Sequence, residues 1–176
     1  MEVRELARRR APMLSVLILV GTGIIASGVP TTHADNDDNT LIPNNRRLNN
    51  SVVGNVYTVQ HQGGCTTELK INRQLQLAAQ WHTDDVLNNR ALDGDIGSDG
   101  STVQDRAQAA GYRGTVAETV AIQPALAINN LDIMANWYYR PDYYAIMSNC
   151  ANTQIGVWSQ NSLDRSVVVA VYGQPS

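Results

Sequence analysis

Apolar positions recur every three or four residues along much of the chain and crowd into β-rich runs near its end. Leu48, Val52, Val56 and Val59 fall at helical spacing and stop at Gly63-Gly64, which predicts a first helix. Asn72 is a favoured N-cap, and Leu75, Ala78, Ala79, His82 and Val86 then share one face as far as Asn88-Asn89. Ser101 is expected to cap a third helix carrying Val103, Ala107 and Ala110, with Gly111 in a left-handed cap. Thr115 to Ile122 has strand character. Ile128, Leu131, Met134 and Trp137 return to helical spacing between Pro124 and Tyr139, with Asn129-Asn130 able to start the regular part. Pro141 suits the first turn of a short helix through Ile146. Thr153–Trp158 and Val167–Tyr172, separated by the polar run Ser159 to Asp164, predict a closing hairpin. Helices interleaved with a few strands imply an α+β fold, a small antiparallel sheet flanked by helices.

The first 34 residues change that picture, because they do not read as fold. Arg4, Arg8, Arg9 and Arg10 precede an apolar stretch from Met13 to Ala26, and Thr32-His33-Ala34 places small residues at a cleavage site. This is the pattern of a secretory signal peptide cut after Ala34. The apolar stretch is short beside the roughly 20 residues of a membrane span. The expected organisation is a signal peptide at 1–34, a flexible polar leader at 35–50 and one domain at 51–176. The expected location is secreted or in the cell envelope, without a stable membrane span after cleavage.

Charge narrows the partners. The chain has 13 Lys and Arg and 16 Asp and Glu; without the four Arg and two Glu of the signal stretch, 9 and 14 remain, a net of −5. An acidic domain with one lysine, Lys70, has no footprint for nucleic acid and no polybasic patch for anionic membranes. Cys65 and Cys150 are the two cysteines. Outside the cytoplasm, an even pair with no CxxC spacing reads as a disulfide rather than a redox or nucleophilic pair.

The candidate chemistry comes from spaced motifs. Asp95-Ile96-Gly97-Ser98-Asp99-Gly100-Ser101 is followed by Ala110-Gly111-Tyr112, by Ala117-Glu118-Thr119-Val120-Ala121 and by Trp137-Tyr138-Tyr139-Arg140-Pro141. From Cys65 to Gly173 this order resembles the CAP superfamily, the SCP-like secreted proteins (cysteine-rich secretory, antigen 5 and pathogenesis-related proteins), in its bacterial form. The resemblance implies an αβα sandwich with a central cleft that usually holds two histidines and one or two glutamates. Glu118 matches the cleft glutamate. Asp95 stands where the first cleft histidine would be, Tyr143 falls on the second, and Arg140 takes the place of a second glutamate.

A transition-metal ion needs imidazole or carboxylate donors at about 2 Å, and a guanidinium repels it. The chain is therefore expected to have kept the shape and lost the metal, with no cofactor, and with Arg140 paired to Glu118 in the metal's stead. Asp95, Glu118, Tyr139, Arg140 and Tyr143 are the candidate ligand-binding residues. A lipid or small apolar ligand, or an extracellular protein partner, is the expected occupant of a non-enzymatic binding module. A hydrolase using Glu118 and Asp95 is the alternative, and a purely structural envelope protein is a third reading. His82 reads as a core residue. A Ser98–His82–Asp84 triad lacks the G-x-S-x-G turn of a serine hydrolase. The Asp93–Gly100 loop fails the spacing of a calcium hand, with Gly97 third and Arg106 twelfth from Asp95.

Overall fold

A computed structural model describes residues 45–124 and 129–176, which lie within one compact unit, Ala34–Ser176. The expected signal peptide, its cleavage site and Ile128 fall outside the described residues. Among the described residues the elements follow in the order α1 (Asn45–Gln62), β1 (Lys70–Ile71), α2 (Arg73–Asn88), α3 (Val103–Ala109), β2 (Gly114–Pro124), α4 (Asn130–Tyr138), α5 (Pro141–Met147), β3 (Gln154–Asn161) and β4 (Arg165–Pro175). One sheet runs in the order β1-β3-β4-β2. The β3–β4 hairpin and the β2–β4 pair are antiparallel, while the short β1 is parallel to β3.

The two sheet faces carry separate cores. Val52, Val56 and Val59 of α1, Ile133 and Trp137 of α4 and Tyr143 and Met147 of α5 pack with Val168, Ala170 and Tyr172 of β4. Leu75, Ala78, Ala79 and Val86 of α2 and Ala107 of α3 pack with Val167, Val169 and Val171 on the other side. Alternate residues of β4 thus face opposite helical layers, as strand geometry dictates, and the result is the expected αβα sandwich. Gly156 lets α2 lie this close, because a Cβ there would strike the α2 backbone at Leu75 and Gln76.

Local signals account for most boundaries. The Asn72 side chain caps α2 by accepting from the Gln74 and Leu75 N–H groups, and Gly111 ends the α3 region at φ +87°. The α3 cap is Thr102 rather than Ser101: Thr102 and Asp105 form a reciprocal capping box. In α4 the buried pair is Ile133 and Trp137, and Leu131 points to solvent. Of the expected face, Trp137 is buried and Met134 packs against the core, whereas Leu131, in the first turn after the Asn129 cap, is exposed and Ile133 takes the core position.

Helix α1 opens at Asn45, inside the stretch read as a polar leader. Its first turns are polar because they bury amides against the sheet: Asn45 donates to the Ser159 carbonyl, and Ser159 donates to Asn49. The hydrophobic pattern carries no trace of such contacts. Cys65 and Cys150 form the expected disulfide, with Cα atoms 5.2 Å apart, tying the end of α1 to the turn before β3.

Candidate functional site

Glu118 lies on β2 with its side chain fully buried on the α2/α3 face. Three elements converge on it. Arg106 of α3 donates from Nη2 to Glu118 Oε1 at 2.9 Å. His82 of α2 places Nε2 3.5 Å from the same oxygen and 2.9 Å from the Gly94 carbonyl. A carbonyl only accepts, so Nε2 carries the proton of a neutral imidazole. The third element is the 94–101 loop, stapled by the same guanidinium: Arg106 Nη2 also donates to the Asp95 carbonyl at 2.8 Å, and Nη1 donates to the Ser101 carbonyl at 2.8 Å.

Electrostatics follow from burial. Loss of water pushes the Glu118 carboxyl up to about 8, against the pull of Arg106, and the Asp95 carboxylate adds to the rise. Burial and the Arg106 charge both push His82 down, so the ring stays neutral. Burial also raises the Tyr143 phenol. Asp95 is exposed, yet its charge acts on Glu118, His82 and Tyr143 alike, so these groups do share one region.

Arg140 does not meet Glu118 as the sequence predicts. Its guanidinium holds Asp142 at 2.6 Å and lies 3.7 Å over the Tyr143 ring, and Glu118 is met by Arg106 instead. The reason is local: Arg140 precedes Pro141 and takes the extended N-cap position of α5, which aims it at the first turn of that helix. Arg106, one turn into α3, is the residue that sequence reasoning passes over; only its place on the helix face below the glycine loop could signal it. Ser98 donates to Asp85 and not to His82, so no Ser–His–Asp relay forms. Asp85 and Asp99 are spent on the loop's own Ser98 and Ser101.

A divalent metal, as the resemblance implies for this cleft, does not fit these residues. The cationic Arg106 already occupies the accepting oxygen of Glu118, and a buried Tyr143 with a raised pKa resists the deprotonation that ligation requires. Among the described residues, no group of three or more His, Cys, Asp and Glu is placed to hold a metal ion.

Beside this cluster runs a groove of about 700 Å³ along the outer edge of β2. Val120, Ala121 and Ile122 form its floor, Ala135, Asn136, Tyr139 and Arg140 one wall, and Arg90, Leu92, Asp93 and Arg165 the other. Of the tyrosines near Pro141, Tyr139 alone lines it. Tyr138 packs edge-on to both Tyr139 and Tyr144 outside the groove, and Tyr143 lies beneath Arg140.

No family model matches the sequence, and no curated protein matches it. Solved structures do match the fold. An outer surface protein of Borrelia burgdorferi is similar at a TM-score of 0.65 and 15% identity, over 74% of this chain and 95% of that one. An extracellular protein containing an SCP domain from Bacillus anthracis str. Ames gives 0.63 at 12% identity, over 74% of this chain and 41% of that one. A cysteine-rich secretory protein of Staphylococcus aureus gives 0.54 at 15% identity, over 74% of this chain and 39% of that one. The chain thus spans nearly the whole of the first and less than half of the other two. The described residues have the fold of a CAP/SCP-like extracellular domain.

Proposed function

We propose that the chain is a secreted or envelope-bound binding domain without catalytic activity. In this reading the His82–Arg106–Glu118 cluster is structural and the groove beside β2 is the ligand site. One observation carries it: the cleft carboxylate is sealed from solvent and held by a guanidinium, where an acid, base or metal ligand must be reachable. The groove lies within the roughly 300–1,000 Å³ of ordinary ligand pockets and mixes apolar floor with polar walls. The structural neighbours named as outer-surface, extracellular and secretory proteins support the location. Among the described residues no helix is long and apolar enough to cross a membrane.

The hydrolase reading needs Glu118 and Asp95 both open to water, and burial of Glu118 speaks against it. The test is a thermal-shift titration of the secreted chain with zinc, calcium and a panel of fatty acids, sterols and short peptides. A ligand of the folded state raises the midpoint by mass action. Stabilisation by an organic ligand, lost in Tyr139→Ala, is the expected result. Stabilisation by zinc that disappears in Glu118→Gln would overturn the assignment. Silence throughout would favour a structural envelope protein.

A further inference from the structure

We infer that the groove captures a short, extended, acidic peptide segment of a partner protein by main-chain pairing with Ile122 at the open edge of β2. The inference rests on the binding-domain reading and names its ligand class.

β2 is an edge strand, paired only with β4 among the described residues. An edge strand leaves every second residue's N–H and C=O unpaired, a liability that folded proteins cover. Here side chains cover two stations. The Gln104 amide imitates a strand, donating to the Gly114 carbonyl at 3.0 Å and accepting from the Val116 N–H at 3.2 Å. At Val120 the Trp137 indole donates to the carbonyl at 3.1 Å.

Val120 therefore turns its main-chain groups away from β4, and Ile122, two residues on, turns its own the same way. No hydrogen bond to these groups of Ile122 occurs among the described residues. Ile122 lies in the groove floor, whereas the Trp137 indole covers the Val120 carbonyl just before it. Pro124 has no N–H and ends the edge. One residue of a guest chain can thus exchange both main-chain bonds with Ile122, the elementary unit of strand addition.

The walls select the guest. Arg90, Arg140 and Arg165 line the groove against the single Asp93. Arg90 and Arg140 pair with Asp164 and Asp142, but all four side chains are more than half exposed, and such pairs are exchanged at little cost. Tyr139, 81% exposed, offers an apolar face beside them.

The test uses a fluorescein-labelled, capped pentapeptide of alternating valine and glutamate, titrated by anisotropy against the secreted chain. Its partners are the same peptide N-methylated at the central valine, a valine–lysine version, and vesicles of phosphatidylcholine with phosphatidylglycerol. Ile122→Pro removes the outward N–H together with a half-buried side chain packed against the α2/α3-side core, so Ile122→Ala, which keeps the N–H, controls for the lost side chain, and thermal melting checks that the fold survives. The expected result is saturable binding of the acidic peptide, weakened about tenfold or more by N-methylation and by Ile122→Pro, or roughly 1.4 kcal/mol per lost bond. The lysine peptide should bind at least about tenfold more weakly as well. Binding indifferent to both N-methylation and Ile122→Pro overturns the edge pairing. Vesicle binding without peptide binding also overturns it, while leaving a binding domain. Absence of all binding overturns the edge pairing, and the thermal-shift panel of fatty acids and sterols decides the binding-domain reading separately.

Discussion

Two stretches of the same strand meet opposite fates. At Glu118 and Val120, side chains from the helices cover β2: Arg106 and His82 seal the carboxylate, and the Trp137 indole donates to the Val120 carbonyl. Two residues further, at Ile122, the strand lies open in a groove walled by arginines and a tyrosine. The closed stretch holds the residues that the motif makes candidates for chemistry. The open stretch holds none of them except through its walls. Of the motif positions, Glu118 and Trp137 are buried, whereas Val120, Ala121, Tyr139 and Arg140 line the groove.

The largest effect should come from breaking the closed end. Arg106→Ala removes hydrogen bonds to the Asp95 carbonyl, to Ser101 and to Glu118 at once. Each buried polar group left without its partner costs about 1–3 kcal/mol, and three contacts are lost together. The urea midpoint should fall accordingly, and the 94–101 loop should become protease-sensitive. A loss below about 1 kcal/mol, the level of an exposed pair, would mean that the cluster does not brace the fold.

A pH series sharpens the same point. The Glu118 carboxyl is raised from 4.5 to about 8 in the folded state, so the folded protein holds a proton that the unfolded chain releases. A raised carboxyl pKa makes its contribution complete below the unfolded value and lost as pH climbs through the folded one. Wild-type stability should therefore decline relative to Glu118→Gln between pH 4.5 and 8, by a few kcal/mol, and the difference should be flat on either side. His82, pushed down from 6.5, works in the other sense: its contribution is present above 6.5 and fades as pH falls through its lowered value. Comparing wild type with Glu118→Gln cancels that effect to first order. A difference that does not change with pH would show an ionised Glu118 throughout and would reject the neutral carboxyl.

A smaller effect belongs to the plug at Val120. Trp137→Phe keeps most of the buried ring and deletes the indole N–H that covers the Val120 carbonyl. Leaving a buried carbonyl without its partner costs about 1–3 kcal/mol. Hydrogen exchange should report the loss, with faster exchange along β2 and unchanged exchange in β3. Uniform acceleration across the sheet would instead assign Trp137 to packing alone.

How much of this contrast is legible in the sequence depends on the kind of interaction. The faces of α1 and α2 are readable because burial of Val52, Val56, Leu75 and Val86 is written in periodicity. The disulfide follows from cysteine count and compartment, and the hairpin from its turn-rich centre. What escapes are polar contacts between distant segments. Asn45 and Asn49 read as leader because nothing local shows that Ser159 awaits them. Arg106 is passed over because its partner stands on another element, and the motif pairs Arg140 with Glu118 although Asp142 lies two residues away. The resemblance singles out Glu118, but which cation meets it depends on tertiary packing.

The smallest effect closes the comparison at the misassigned cation. Arg140 and Asp142 are a pair more than half exposed, and Arg140 stacks on Tyr143 from outside. Exposed pairs contribute about 0.2–1 kcal/mol, and a cation over an aromatic ring at such a site about 0.5–1. Arg140→Ala should therefore shift the urea midpoint only slightly, with no change in the pH profile that Glu118 dominates. If the same substitution carried the decline on to pH values above 8, Arg140 would be a counter-charge of Glu118, and the closed and open stretches of β2 would share one electrostatic network. Independence of the two arginines, tested by adding Arg140→Ala to Arg106→Ala and finding the losses additive, is the result that the separation of their partners predicts.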